Sequence, residues 1–297
     1  MATLTELSSK QRERLEFIEF LLRFKGSANR SDIGTRFGIQ PSAATKDFKL
    51  YRELAESNLN LDQKTKNYVI NCQSFKPKFD LDVKKALSRL RDPSIGKALG
   101  LSQIEATSTP PRLGLPNIEV LSAVTRAIAT EKPIELEYYS PYNSGYSKRV
   151  ISPHGLVDNG LRWHIRAYNR KREKFSDFVL NRCNNVVVLD EQIEDHERKN
   201  WDRQWNWTLE LELAPHPNRE NVKYPDAIAL EYGMSEGSLK IPVRAAVAGY
   251  WLRLWNVDCS ADHSLEGPEY QLYLVNPECL RGVETALWAP GNTDSQY

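Results

Sequence analysis

The chain has 297 residues, 40% of them hydrophobic, and a formal net charge of +1. That length exceeds one ordinary domain, so two or three domains are expected. No apolar run approaches the roughly 20 residues that cross a bilayer, and the first residues contain no hydrophobic signal region. We therefore expect a cytoplasmic protein with no membrane partner.

The four cysteines, Cys72, Cys183, Cys259 and Cys279, lie far apart in the sequence. They lack the paired spacing of zinc sites and thioredoxin-type redox sites, so we expect buried, reduced thiols. No carboxylate cluster has metal-binding spacing, no glycine-rich loop could hold a phosphate, and no Ser/His/Asp set stands out. The sequence therefore predicts no catalytic residue, no metal and no cofactor, and a nuclease finds little support.

Charge is distributed unevenly along the chain. Residues 1–78 carry 14 basic and 9 acidic side chains, whereas residues 191–297 carry 9 basic and 18 acidic ones. Mixed surface charge can give such sums by chance. A basic N-terminal part and an acidic C-terminal part are nevertheless typical of a molecule that presents one end to a polyanion.

Two helices are predicted near the N-terminus. Apolar residues recur at helical spacing over residues 8–25, and Gly26 ends that helix. A second, short helix fits residues 30–37, where Ser31 can cap the start and Gly38 can close the end in a left-handed conformation.

A third helix is predicted over residues 41–55, with Pro41 in its first turn. Its apolar stripe consists of Ala44, Phe48, Tyr51 and Leu54. Its opposite face carries Ser42, Thr45, Lys46, Lys49 and Arg52. A short helix, a tight turn and a polar-faced helix form the order of a helix-turn-helix, whose last helix enters the major groove of DNA.

A basic hairpin follows the third helix. Residues 58–62 and 67–71 read as strands, and the tip between them carries Lys64 and Lys66. This hairpin completes a winged helix-turn-helix over residues 1–78, with lysines near backbone phosphate. The alternative is a plain three-helix bundle with a surface hairpin. The predicted DNA-binding residues are Arg30, Gln40, Ser42, Thr45, Lys46, Lys49, Arg52, Lys64 and Lys66.

Residues 79–129 are predicted to form a helical linker. Helical patterns over residues 81–90 and 118–129 flank a stretch in which Pro110, Pro111 and Pro116 rule out a continuous helix.

Strand patterns dominate residues 130–190. The predicted strands cover residues 134–140, 148–157, 161–168 and 175–189, which suggests a small antiparallel barrel. Alternation in the third strand assigns Trp163, Ile165 and Ala167 to the core. It assigns Arg162, His164, Arg166 and Tyr168 to the other face, which is too polar for a core and rich in cations and aromatic rings.

The run Gly160-Leu-Arg-Trp-His-Ile-Arg-Ala-Tyr168, followed by Phe175-Ser-Asp-Phe-Val-Leu-Asn-Arg182, resembles the signature of WYL-domain regulators. Trp163-His164-Ile165 stands at the naming tripeptide, with His and Ile in place of Tyr and Leu. This variant resembles the BrxR and CapW type, which represses phage-defence operons. The resemblance covers most of the chain.

The resemblance implies an Sm-like or SH3-like barrel that binds a nucleotide or nucleic-acid effector. Carried onto this sequence, it implies a ligand pocket built from Tyr138, Ser140, His154, Trp163, His164, Arg166 and Arg182. Arginines would bind phosphate, and an aromatic ring would stack on a base. The alternative is that Arg182 pairs with Asp177 on the surface, His154 is satisfied in the core and Arg149 is solvated.

Residues 191–297 mix predicted strands and helices. Strands are expected at residues 208–213, 239–243 and 270–275, a helix at 244–255, and either element at 227–232. Trp201, Trp205 and Trp207 are expected to serve packing. We predict a small α+β dimerisation domain here, completing an α+β multidomain chain.

The sequence therefore predicts a dimeric transcriptional repressor that binds an inverted repeat in double-stranded DNA under control of a nucleotide or nucleic-acid effector. The alternative function is an adaptor that binds RNA or single-stranded nucleic acid without promoter specificity.

Overall fold

The computed structural model describes residues 7–90, 110, 112–142 and 144–293. It divides into two compact units, Met1–Pro111 and Arg112–Tyr297. Residues 91–109 and Pro111, which belong to the predicted linker, lie outside the described residues. Within the described part of the chain, no helix is long and apolar enough to span a membrane.

The helices of the first unit follow the predicted order closely. They are α1 (Ser9–Lys25), α2 (Arg30–Phe37), α3 (Pro41–Leu54) and α4 (Val83–Leu90). Gly26 and Gly38 end α1 and α2 with positive φ angles of 82° and 63°, a conformation that favours glycine. The prediction of Ser31 as the cap of α2 is wrong. Asn29 caps the helix, because its side chain accepts a hydrogen bond from the backbone N–H of Asp32.

The wing contains one strand more than predicted. Strands β1 (Ser27–Ala28), β2 (Leu59–Leu61) and β3 (Tyr68–Ile70) form an antiparallel sheet in the order β1-β3-β2. Because β1 directly follows α1, the hairpin is tied to the first helix through the sheet.

A buried polar network joins the elements of the first unit. The Glu19 carboxylate on α1 accepts hydrogen bonds from the Tyr51 hydroxyl on α3 and from the backbone N–H of Lys78 and Phe79. Asn58 donates to the same hydroxyl and to the carbonyl of Lys76. Because buried polar groups are costly when unpaired, this network fixes the segment after the wing against α1 and α3.

The central sheet of the second unit is open, so the predicted barrel is wrong. Helix α5 (Ile118–Thr130) precedes strands β4 (Ile134–Tyr139), β5 (Tyr146–Asp158), β6 (Trp163–Asn169), β7 (Lys174–Val179) and β8 (Cys183–Val188). Their antiparallel order is β7-β6-β5-β4-β8, and among the described residues no pairing joins the two edge strands. The single strand predicted over residues 175–189 is interrupted by a 3-10 turn at Leu180–Arg182.

Both faces of β6 are buried, contrary to the expectation of one polar face. Ile165 and Ala167 pack in a core with Val124 of α5, as predicted. On the opposite face, His164 and Arg166 are 3% and 2% exposed. The prediction of Trp163 as a core residue is wrong, since the residue is 37% exposed. Trp163 is the first residue of β6 and lies at the end of the strand.

The C-terminal part of the second unit is a mixed α+β structure. Its elements are α6 (Arg203–Asn206), β9 (Thr208–Pro215), α7 (Pro225–Glu231), β10 (Leu239–Arg244), α8 (Ala245–Leu254), β11 (Val257–Asp258) and β12 (Leu272–Leu274). The sheet order is β10-β9-β12-β11. Helix α8 lies so close to the 3-10 helix Glu284–Trp288 that a side-chain carbon on Gly249 would lie 1.7 Å from the Thr285 carbonyl oxygen.

Side-chain burial corrects one further expectation. All four cysteines are free, and Cys183 and Cys259 are buried as predicted, but Cys279 is only half-buried and Cys72 is exposed. Cys72 follows the short wing strand β3, outside the core of the first unit. Trp205 and Trp207 pack against the C-terminal core, whereas Trp201 is exposed.

Candidate functional site

Helix α3 separates its structural side chains from its exposed ones. Ala44, Phe48 and Tyr51 are fully buried in the core of the first unit. The predicted contact residues Ser42, Thr45, Lys46, Lys49 and Arg52 are all exposed. The helix can therefore present a polar, basic surface without losing its packing.

Two further predicted contact residues lie beside the start of α3. Gln40, the residue before the helix, is exposed. Arg30, at the start of α2, is also exposed, and its Nη1 lies 3.5 Å from the Thr45 hydroxyl. Because Thr45 also donates to the Pro41 carbonyl at 2.9 Å, its side chain is held in a defined orientation at the helix surface.

The wing is fixed to α3 by aromatic stacking. The ring of Phe48 on α3 stacks on Tyr68 of β3, with centroids 4.1 Å apart and planes 8° from parallel. At the tip, Asp62 accepts hydrogen bonds from the Lys64 backbone N–H and the Thr65 hydroxyl, which lower the pKa of its carboxyl. Lys64 and Lys66 are exposed on this ordered turn. The wing lysines and α3 thus form one basic surface on one rigid support.

A cavity of about 270 Å³ opens at the central sheet, and we call it the sheet cavity. Four of the predicted ligand residues line it: Tyr138, Ser140, His164 and Arg182. The other lining residues that carry charge or aromatic rings are Tyr142, Arg149, Arg162, Arg172, Asp177, Phe178, Tyr250 and Trp288.

The sheet cavity contains arginines that lack acidic partners. Among the described residues, Arg162, Arg172 and Arg182 have no carboxylate within ion-pair distance. The Nε atom of Arg162 is buried and has no hydrogen-bond partner in the described part of the chain. Arg149 donates to the carbonyl of the neighbouring Lys148 at 2.9 Å and forms no ion pair with a carboxylate in the part of the chain that the structure describes. Unpaired guanidinium groups in a concave site are suited to an anion.

The pKa of His164 is affected by the positive charges of this cavity. Burial first, and then the charges of the neighbouring Arg162 and Arg182, together lower the pKa of its imidazole from 6.5 to about 4. The ring stacks on Tyr250, with centroids 5.2 Å apart and planes 7° from parallel, and its buried Nδ1 has no partner among the described residues. His164 is therefore a neutral side chain in a cationic site.

Three predicted ligand residues lie outside the lining of the sheet cavity. Arg166 donates to Asp202 from Nε at 2.7 Å and from Nη2 at 2.9 Å. His154 contacts the same carboxylate at 3.0 Å, and Trp163 lies at the start of β6. Arg166 and His154 are thus both paired with one carboxylate of the chain itself, that of Asp202.

Asp177 connects this buried cluster to the cavity. It lines the cavity, accepts a hydrogen bond from Arg166 at 3.3 Å and accepts another from the Tyr250 hydroxyl at 2.9 Å. The alternative pairing of Asp177 with Arg182 is therefore not the one observed. Asp177 supports the cavity while its charge is neutralised by Arg166.

Sequence reasoning did not assign Arg172, Tyr250 or Trp288 to the site. Arg172 follows Arg170 and Lys171, and this basic run is the local signal that could have identified a cationic turn, although it does not give the position of that turn. Tyr250 and Trp288 come from the C-terminal part of the chain, and no local pattern links them to strands more than 60 residues earlier.

Three family models match successive parts of the chain. Residues 10–92 match the BrxR transcriptional regulator winged helix-turn-helix domain, and residues 119–188 match the WYL domain. Residues 208–280 match the BrxR transcriptional regulator C-terminal dimerization domain.

Curated relatives match over most of their length. A DNA-binding transcriptional repressor CapW of Pseudomonas aeruginosa is 33% identical over 283 residues, covering 92% of this chain and 91% of the relative. CapW of Escherichia coli (strain KTE188) is 32% identical over 276 residues, covering 90% of each chain. CapW of Stenotrophomonas maltophilia is 28% identical over 265 residues, covering 84% and 85%.

Among solved structures, proteasome accessory factor B/C (PafBC) of Arthrobacter aurescens matches 93% of this chain and 47% of its own, at 16% identity and a TM-score of 0.28. That similarity is too low to support a conclusion. The three domain matches and the CapW relatives are sufficient, and the chain belongs to the family of WYL-domain transcriptional regulators of the BrxR and CapW type.

Proposed function

We propose that this protein is a sequence-specific DNA-binding transcriptional repressor, which binds an inverted-repeat operator as a homodimer and responds to a nucleotide or nucleic-acid effector. The observation that carries the proposal is the exposed polar face of α3, fixed to a basic wing by the Phe48–Tyr68 stack. The CapW relatives are named as DNA-binding transcriptional repressors, which supports the same function.

The exposed side chains divide into two groups with different tasks. Ser42, Thr45 and Lys46, in the first turns of α3, would contact base edges in the major groove, since the start of a recognition helix enters deepest. Lysines of the wing and Arg52 near the end of α3 would contact phosphates and fix the register. Arg30, Gln40 and Lys49 complete the proposed interface.

The C-terminal part of the second unit would form the dimer. The region that matches a dimerization domain exposes apolar side chains at α7, where Leu230 is 84% exposed and the adjoining Tyr224 is 69% exposed. A second copy would bury them, and a two-fold dimer would present two α3 helices to an inverted repeat. The substitution Leu230→Asp should shift the dimer toward monomer in light scattering coupled to gel filtration.

Effector binding is proposed at the sheet cavity. Arg182 would bind phosphate, with Tyr138, Ser140 and His164 as further contacts. His154 and Arg166 would support the site through Asp202, and Trp163 would lie at its margin.

The regulated genes would include a phage-defence operon, as the resemblance implies. RNA sequencing of a deletion strain would show whether such genes are derepressed.

A mobility-shift assay with inverted repeats from the DNA upstream of the gene tests the proposal. Wild-type protein should shift its own operator in preference to scrambled duplex. Thr45→Ala and Lys49→Ala should weaken that shift, whereas Lys240→Ala, an exposed lysine on β10, should not. Equal affinity for operator, scrambled duplex and single strands would contradict the proposal and favour the adaptor.

A further inference from the structure

We propose that Thr45 recognises thymine through its side-chain methyl group, so that each half-site of the operator contains a thymine whose C5-methyl group packs against Thr45. This inference rests on the proposed operator binding and specifies one base that the protein reads. The contact is apolar, in contrast to the hydrogen bonds and phosphate contacts that the other exposed residues of α3 can form.

Thr45 belongs to an exposed stripe that runs along one side of α3. Ser42, Thr45, Lys49 and Arg52 follow one another at intervals of three or four residues, and all of them are exposed. Residues at that spacing share one face of a helix. Thr45 lies near the start of α3, which is the part of a recognition helix that contacts base edges. Its side chain is therefore placed to meet a base rather than a phosphate.

The hydroxyl group of Thr45 is already engaged within the protein. It donates to the Pro41 carbonyl oxygen, at a distance of 2.9 Å between the two oxygens. Its own oxygen lies 3.5 Å from Nη1 of Arg30, which approaches it as a donor. A threonine hydroxyl in a helix can bond the carbonyl four residues earlier, which turns the oxygen back toward the preceding turn. A base that took a hydrogen bond from Thr45 would have to break the contact with Pro41.

The methyl group of Thr45 is the part that remains for a ligand. The β-carbon of threonine carries one hydroxyl and one methyl group, which occupy different staggered positions. Because the hydroxyl is held on the Pro41 carbonyl, the methyl group takes another position on this exposed residue. The other predicted contact residues of this helix face end in a hydroxyl group or a cation, and they are Ser42, Lys46, Lys49 and Arg52. Thr45 is thus the contact residue of this face that can present an apolar group.

Thymine is the base whose major-groove edge suits an apolar group. It carries a C5-methyl group there, whereas the other bases are distinguished by their hydrogen-bond donors and acceptors. The hydroxyl and cationic side chains of α3 can bond such donors and acceptors. A threonine methyl group placed against the thymine methyl group removes apolar surface from water on both sides of the contact. The chemistry that Thr45 offers therefore matches thymine.

Deoxyuridine is the probe for this contact, because it differs from thymidine only in lacking the C5-methyl group. The operator upstream of the gene is first located by footprinting with wild-type protein. Its thymines are then replaced by deoxyuridine, one symmetry-related pair at a time, and full-length protein is titrated by fluorescence anisotropy. Loss of one methyl contact should weaken binding about fourfold, and loss in both half-sites should weaken it about fifteenfold.

Two conservative variants separate the methyl group from the hydroxyl group. Thr45→Val keeps a methyl group and removes the hydroxyl, so it should retain the preference for thymine over deoxyuridine. Thr45→Ser keeps the hydroxyl and removes the methyl group, so it should bind the thymine and deoxyuridine operators equally. Because each variant is compared with itself on two operators, a smaller active fraction of one variant changes both affinities alike.

Thr65→Ser is the matched control. Thr65 is exposed at the wing tip, and its hydroxyl donates to Asp62 at 2.7 Å. The serine variant removes a methyl group from an exposed threonine of the same unit and keeps that hydroxyl. It should retain the full preference for thymine at the position that Thr45 contacts.

Several outcomes overturn the inference. One is equal binding of wild type to every substituted operator, and another is a preference for thymine that is lost in Thr45→Val. A preference that persists in Thr45→Ser would also contradict it, since another group or the shape of the DNA would then distinguish the bases. In each case wild type still binds its operator specifically, so the proposed function stands. Equal affinity of wild type for operator and scrambled duplex would instead contradict the proposed function and, with it, this inference.

Discussion

Arg14 on α1 donates two hydrogen bonds to the Asp47 carboxylate on α3, from Nε at 2.7 Å and from Nη2 at 3.0 Å. Asp47 is buried, on the inner side of the helix whose outer side carries Thr45 and Lys49. This two-point contact joins the first helix to the proposed recognition helix.

Asp47→Ala should therefore lower the free energy of unfolding by about 2 to 3 kcal/mol, because it leaves the Arg14 guanidinium without its partner in a largely buried position. Urea unfolding of the full chain measures the change. Glu53→Ala is the control, since its pair with Lys49 is exposed and 3.9 Å long, and it should cost less than about 0.5 kcal/mol. Equal effects of the two substitutions would contradict a structural role for the Arg14 pair.

Lys64→Ala and Lys66→Ala should weaken binding to operator and to scrambled duplex by the same factor. Both lysines extend from the ordered tip around Asp62, where phosphate is the expected contact. Each substitution should reduce the steepness of the salt dependence by about 0.9. Thr45→Ala should instead weaken operator binding alone. Fluorescence anisotropy at several salt concentrations separates the two effects, and a sequence-dependent loss in Lys64→Ala would show that the wing reads bases.

The Arg166–Asp202 pair should make the second unit sensitive to acid. Burial alone would raise the pKa of Asp202, but hydrogen bonds from His154 and Arg166 lower it from 3.8 to about 2. The resulting stability is present above pH 3.8 and is lost as the pH falls toward 2. It corresponds to about 2 kcal/mol.

Asp202→Asn should remove this contribution, so the difference in stability between wild type and variant should shrink between pH 4 and pH 2. Thermal unfolding at each pH measures it. Asp226→Asn, an exposed aspartate on α7, should leave the wild-type pH profile unchanged. A difference that stays constant over this interval would contradict the assignment.

The pKa of His164 should respond to the charges of the sheet cavity. Its imidazole pKa of about 4 lies below the ordinary 6.5, because burial and then Arg162 and Arg182 disfavour the protonated form. The neutral ring therefore stabilises the fold above pH 6.5, and this contribution is lost as the pH falls toward 4.

Arg182→Ala should raise the pKa of His164, since it removes one of the neighbouring cations. NMR titration of the imidazole protons measures this, with His164→Gln identifying the signal and Arg203→Ala as the control. Inorganic phosphate bound near Arg182 should raise the pKa in the same direction. An unchanged titration curve in Arg182→Ala would place its guanidinium too far away to act on this ring.

Local sequence signals predicted the first unit well. The ends of α1 and α2 follow from Gly26 and Gly38, and the inner face of α3 follows from the spacing of Ala44 and Phe48. The prediction of the cap of α2 was wrong, because Asn29 and Ser31 are both residue types that cap helices. Only the backbone conformation shows that the helix begins after Asn29.

The second unit required information that the strands do not contain. Barrel closure depends on pairing between edge strands, and alternation within each strand carries no signal for it. His164 and Arg166 were expected on a polar face because their types are seldom buried. Their cover comes from Tyr250 and Asp202, which lie 86 and 36 residues later in the sequence. Only the folded chain brings these groups together.

The division of α3 into an inner and an outer face has a consequence for how such regulators diversify. Phe48 packs in the core of the first unit, and Asp47 pairs with Arg14, so both side chains hold the helix in place. The exposed side chains of Thr45, Lys46 and Lys49 do not belong to that core. Exchanges at the exposed positions therefore cost little folding energy. In the proposed repressor, operator preference would change one side chain at a time, while the wing and the core stay as they are.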